Sequence, residues 1–121
     1  MDLRAAVKDQ QIIPAGATVA IPTGLMLAVP QGYEAQIRPR SGLALHHSIG
    51  IINSPGTIDS DYRGEVMILL TNFGQQDYIV RRGERIAQMV IARVERVDIA
   101  ITKALPPTGR AEGGFGHSGS Q

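Results

Sequence analysis

Glycine and proline interrupt this chain so often that no long helix fits between them. Fourteen glycines and seven prolines are spread over 121 residues, and both residue types break helices. Short apolar runs lie between the breaks, the rhythm of an all-β architecture. Residues 11–13, 17–22, 24–29, 33–38, 49–53, 65–72, 77–80 and 84–97 read as strands. Residues 83–92 have some helical propensity, but Val94 and Val97 extend the stretch with β-branched residues and favour a strand. After Pro39, residues 41–45 fit one short helix with Ser41 as its cap.

A chain of 121 residues with 43% hydrophobic and 19% charged residues is an ordinary globular domain. Its formal charge of +1 gives no broad electrostatic footprint for a nucleic-acid partner, and none is expected. Ten of the twelve basic residues are arginine, which suits bidentate recognition of carboxylate or phosphate. There is no cysteine, so disulfides and thiolate metal sites are excluded. No apolar stretch has the length of a membrane span, and the first residues carry no signal-peptide pattern. We expect a cytoplasmic protein with no membrane partner.

The composition changes after Leu105. Residues 1–105 are expected to form the folded domain, and residues 106–121 a flexible tail too poor in apolar residues to fold alone. That tail joins Arg110 and Phe115 to closely spaced glycines and to His117 and Ser118. Glycines let backbone amides approach phosphate, and a phenyl ring stacks on a flat base. A plain flexible linker is the other reading.

Chemistry is densest in residues 56–65, where Asp59, Asp61, Tyr62 and Arg63 fall between Gly56 and Gly64 and Glu65 follows directly. The segment reads as a hairpin-like connection between two apolar strands, which would present a functional side chain rigidly. Asp59 follows Ile58, so a partly desolvated carboxylate there would orient a water as general base. A solvated turn rich in Asp and Ser is the alternative.

Two further segments point to phosphate. Arg40, Ser41 and Gly42 would offer an arginine, a hydroxyl and free amides at the start of a short helix. A capped turn with Arg40 in an internal salt bridge fits equally well. Gln88 places donor and acceptor atoms within an apolar strand, either for a ligand or for buried backbone.

Together, residues 2–6, 39–44, 56–65, 85–88 and 110–119 resemble, in order and spacing, the five motifs of the trimeric dUTP pyrophosphatase (dUTPase) family. The resemblance implies a distorted jelly-roll β-barrel, a homotrimer whose active sites are shared between subunits, and hydrolysis of dUTP to dUMP and pyrophosphate. Such an activity limits uracil in DNA and supplies dUMP for thymidylate synthesis. By similarity, Asp59 would activate the water that attacks the α-phosphorus. Mg²⁺ would ride on the triphosphate, with Asp2 reaching it through water. Arg40, Ser41, Gly42 and Gln88 would bind phosphates. Asn53, Thr57, Ile58 and Met67 would form the uracil slot, and Tyr62 would stack under the deoxyribose and exclude a 2′-hydroxyl. Phe115 would cover the base, while Arg110, Gly116, His117 and Ser118 would close over the phosphates.

The chain departs from the family at its start. Members commonly read Ala-Gly-hydrophobe-Asp-Leu here, and Met1 takes the hydrophobic position. The usual N-terminal strand is therefore expected to be missing, through a misassigned start or a truncation. Two other functions compete: a related deaminase acting on dCTP, and a non-catalytic nucleotide-binding trimer.

Overall fold

The computed structural model describes residues 1–109 together with Ala111 and Glu112. Among them nine strands and one short helix follow in the order β1 (Asp2–Arg4), β2 (Gln10–Ile13), β3 (Thr18–Met26), β4 (Tyr33–Arg38), α1 (Ser41–His47), β5 (Ile49–Ile51), β6 (Gly56–Ile58), β7 (Glu65–Asn72), β8 (Tyr78–Arg81) and β9 (Arg85–Arg93). The chain is all-β, as expected. Its strands form a four-stranded sheet in the order β1-β9-β4-β6, a three-stranded sheet β3-β7-β5, and a β2-β8 ribbon. Every pairing is antiparallel. Among the described residues these sheets do not join into one closed barrel.

The core follows from strand alternation. On β7, Val66, Ile68 and Leu70 are buried while Glu65 and Met67 face outward. On β9, Ile86, Ala87 and Met89 are buried, and Leu3, Ile13, Ile21, Ile49 and Val80 fill the space between. Each large side chain of this kind contributes roughly 1.5–3 kcal/mol on burial. Asn72, fully buried at the end of β7, is the polar knot of this core. Its Nδ2 donates to the carbonyls of Ile13 (3.0 Å) and Gln76 (2.8 Å), and its Oδ1 accepts from the Gly74 amide (2.9 Å).

Several elements differ from the sequence reading. β3 runs unbroken through Pro22, where two strands were expected, because it lies at a sheet edge where a missing N–H costs no ladder bond. Its register shifts between Pro22 and Met26, and Gly24 takes the left-handed φ of 70° there. β9 is the strand that the sequence favours over a helix, with β1 and β4 on its two edges. It ends at Arg93, short of the expected Val97, and β5 ends at Ile51 rather than Asn53. Three-residue β1 and β6 were not foreseen.

The helix cap lies one residue earlier than expected. Arg40 is the N-cap residue, with extended backbone and no side-chain cap, and Ser41 is the first helical residue. The expected hairpin connection is also more than a hairpin. β5 and β7 do pair, but between them β6 crosses to the other sheet and pairs with β4.

Candidate functional site

Because β6 bridges the two sheets, its residues wall a cavity between them. The cavity holds about 290 Å³. Asn53, Thr57, Ile58, Asp59, Tyr62 and Met67, all expected at the site, line it together. Ile37 from β4, Ile51 from β5 and Ile68 from β7 add apolar surface, and Gly56 lets the chain pass close to Ile37, with room for a Cβ at only 3.4 Å from the Ile37 Cβ. The cavity is thus walled mainly by apolar side chains, with Asn53, Thr57 and Asp59 among its polar members.

The turn after β6 is held by its own hydrogen bonds. The Tyr62 amide donates to the Asp59 carbonyl (3.2 Å), and Arg63 Nη1 donates to the carbonyls of Ser60 and Tyr62 (both 2.8 Å). The Tyr62 hydroxyl donates to the Glu65 carbonyl (2.9 Å), and the Glu65 carboxylate accepts the Gly24 amide of the β3 bulge (2.8 Å). Asp59 itself is exposed, which corrects the expected partial desolvation: Ile58 turns toward the sheets while the next side chain turns to solvent. It lies at the rim of the cavity and also borders a polar cleft of about 810 Å³ with Ser60, Asp61 and Arg63.

A second group gathers where β1 meets β9. Asp2 lies opposite Gln88 in the ladder. Gln88 Nε2 donates to Asp2 Oδ1 and Arg85 Nη1 to Asp2 Oδ2, each at 3.2 Å. The Gln88 hydrogen bond is the largest influence on the Asp2 carboxyl; desolvation opposes it, and Arg85 with the more distant charge of Arg40 then adds to it, so the group is held below its ordinary range. Gln88 is exposed, so the reading of it as a buried backbone partner is set aside. Arg40 Nη1 donates to the Arg85 carbonyl (2.9 Å) in place of the internal salt bridge considered above. Beside it, the first helical bond runs from the Ala44 amide to the Arg40 carbonyl (3.1 Å). The amides of Ser41 and Gly42 precede that bond and have no carbonyl one turn back.

The two groups stay apart within one chain. None of Asp2, Arg40, Ser41, Gly42 and Gln88 lines the cavity that Asn53, Thr57, Ile58, Asp59, Tyr62 and Met67 share. Arg110, Phe115, Gly116, His117 and Ser118 lie outside the described residues. Sequence reasoning gave no role to Arg85, Glu65, Ile37 or Ile51. Arg85 stands three residues before Gln88, but only the β1–β9 register brings it to Asp2, and the two isoleucines looked like any core residue. Among the described residues no group of three His, Cys, Asp or Glu could hold a metal ion, and no helix is long and apolar enough to cross a membrane.

A family model described as dUTPase matches residues 1–119. The chain is 52% identical over 120 residues to a deoxyuridine 5'-triphosphate nucleotidohydrolase of Anaplasma marginale (strain St. Maries), covering 99% of this chain and 82% of that one. It is 51% identical over 119 residues to the protein of the same description from Syntrophotalea carbinolica, covering 98% and 81%. Among solved structures, the dUTPase of Streptococcus mutans shares 30% identity with a TM-score of 0.75 over 80% of this chain and 79% of that one. The fold also matches a Staphylococcus bacteriophage 80alpha dUTPase G164S mutant with dUpNHpp, with a TM-score of 0.86 at 22% identity over 98% and 85%.

Proposed function

The chain belongs to the dUTPase family, and from that premise we propose that it hydrolyses dUTP to dUMP and pyrophosphate, with Asp59 activating the water, thereby limiting uracil in DNA and supplying dUMP for thymidylate synthesis. The observation that carries this reading is the single cavity lined by Asn53, Thr57, Ile58, Met67 and Tyr62 with Asp59 at its rim. Uracil enters with its edge toward β6. A slot fitted to uracil rejects thymine for its methyl group and cytosine for its mismatched donors and acceptors. The Tyr62 ring lies under the deoxyribose and leaves no space for a 2′-hydroxyl.

Catalysis asks little covalent chemistry of the protein. Asp59 takes a proton from the water as it attacks the α-phosphorus, and pyrophosphate leaves in line. Arg40, Gln88 and the free amides of Ser41 and Gly42 hold the phosphates. Their separation from the cavity within one chain supports a homotrimer in which each site takes the cavity from one subunit and the phosphate-binding group from another. Val97, Ile99 and Ile101 support it too. At 77%, 87% and 99% exposure, these alternate residues present apolar surface of the kind that a second copy covers.

Mg²⁺ fits as an ion carried by the substrate. Asp2 accepts one hydrogen bond on each oxygen, which leaves lone pairs to receive metal-bound water. When bound to the triphosphate, the ion would supply positive charge against the negative charge developing on the leaving pyrophosphate. Residues 106–121 act as a lid, with Phe115 over the base and Arg110, Gly116, His117 and Ser118 over the phosphates. The cytoplasmic location expected from the sequence remains part of this reading.

Product analysis with dUTP, dTTP, dCTP and UTP in Mg²⁺ tests the function. Pyrophosphate from dUTP alone is the expected result. Ammonia from dCTP would indicate the deaminase, and binding with no product the non-catalytic trimer.

A further inference from the structure

Within the 59–65 turn, a neighbouring side chain lies directly against the backbone at Gly64. A Cβ built on Gly64 would fall 2.6 Å from Tyr62 Cζ and 3.1 Å from Tyr62 Cε2, with the phenol oxygen closer still. Real Cβ atoms do not approach so near, so the ring occupies the space that glycine leaves empty. Gly64 has no left-handed φ. Its value to the chain is therefore room, and not backbone freedom.

The ring is held at its hydroxyl end and the turn beneath it is tied by hydrogen bonds to backbone carbonyls: the Tyr62 hydroxyl donates to the Glu65 carbonyl beyond Gly64 at 2.9 Å, and Arg63 Nη1 donates to the carbonyls of Ser60 and Tyr62. Tyr62 is nonetheless 43% exposed and lines the cavity, so one face is held by the turn while the other is presented to a ligand. The exposed end of a tyrosine is the part that can yield. A methyl group at position 64 would tilt the ring toward the cavity and leave the strands in place.

We propose that Gly64 is a specificity-determining position: the gap it leaves sets how deep the Tyr62 ring lies, and that depth sets the space available at the 2′ carbon of the sugar. The inference rests on the reading of Tyr62 as the sugar-stacking residue. Gly64 touches no substrate and acts only through the ring, which makes it a positioning residue.

Three variants test it: Gly64→Ala, Tyr62→Ala and Tyr62→Phe, each assayed for kcat/KM with dUTP and with UTP. NMR of the tyrosine rings reports where residue 62 lies, and thermal unfolding reports the fold. Gly64→Ala is expected to fold as the parent does, to lose the proximity of the Tyr62 ring to Glu65, and to lower the dUTP-to-UTP ratio by about tenfold or more. Tyr62→Ala is expected to lower it as well. Tyr62→Phe keeps the ring over Gly64 and is expected to hold the dUTP-to-UTP ratio, whatever its turnover, within about twofold of the parental ratio. If Tyr62→Ala lowers the ratio and Gly64→Ala leaves it unchanged, the role of Gly64 is overturned while that of Tyr62 stands. An unchanged ratio in Tyr62→Ala overturns the sugar reading and the inference with it. A loss in Tyr62→Phe equal to that in Gly64→Ala would assign the effect to the hydroxyl, and an unfolded Gly64→Ala would make the glycine structural, either of which overturns the proposal.

Discussion

Gln88 faces Asp2 across the β1–β9 ladder and donates its side-chain amide to Asp2 Oδ1 at 3.2 Å. This one register joins the first residues of the chain to its last strand, and with Arg85 on the other carboxylate oxygen it builds half of the proposed site.

The same contact sets how Asp2 titrates. Its carboxyl is held below the ordinary aspartate range, first by Gln88 and then by Arg85. A depressed pKa in the folded state means that the charged pair is present above the ordinary range and is lost only as pH falls through the lower, folded value. Carbon-detected NMR of Asp2 should give a midpoint below that of an unstructured aspartate. In Gln88→Ala the midpoint should move up toward it, and an unmoved midpoint would assign the shift elsewhere.

The proposed sharing of sites between chains has a direct consequence. Asp59 lines the cavity and Gln88 does not. Asp59→Asn and Gln88→Ala should each lose about 10²- to 10⁴-fold in turnover. Refolded mixtures should regain a measurable fraction of parental activity, because some sites then draw both intact groups from different chains. No recovery would argue that each site is built within one chain.

The exposed apolar residues after β9 give a test of assembly. Ile99 and Ile101 are 87% and 99% exposed in the single chain. Replacing both by aspartate should leave the fold of the monomer intact and shift the protein toward lower mass in sedimentation. An unchanged mass would remove these residues from the interface.

Asn72 tests the core. Its buried side chain satisfies two carbonyls and one amide, so Asn72→Ala leaves three backbone groups to find other partners. The expected cost is about 2–4 kcal/mol, measured by denaturant unfolding. A cost near zero would show that water replaces the amide.

Much of this was legible in the sequence, and the rest was not for physical reasons. β4 and β7 came out with the expected limits, since alternating burial on a long strand leaves a clear pattern. β1 and β6 have three residues each and exist only because a neighbouring strand pairs with them. The six cavity residues were nameable from the family resemblance, but that they share one cavity depends on β6 crossing between sheets, a fact of topology. Ser41 looked like a cap because serine favours that place, whereas the extended Arg40 takes it without using its side chain. The exposure of Asp59 and Gln88 was hidden as well, because side-chain direction on a short or central strand depends on register that local sequence does not encode.

The claim that Asp59 drives water onto the α-phosphorus is tested most directly by hydrolysing dUTP in ¹⁸O-labelled water, with the parent chain and Asp59→Asn side by side, and reading the products by mass. The label should appear in dUMP, the pyrophosphate should be unlabelled, and turnover should fall by about 10²- to 10⁴-fold in Asp59→Asn. Label in the pyrophosphate, or an Asp59→Asn chain as fast as the parent, would contradict the account.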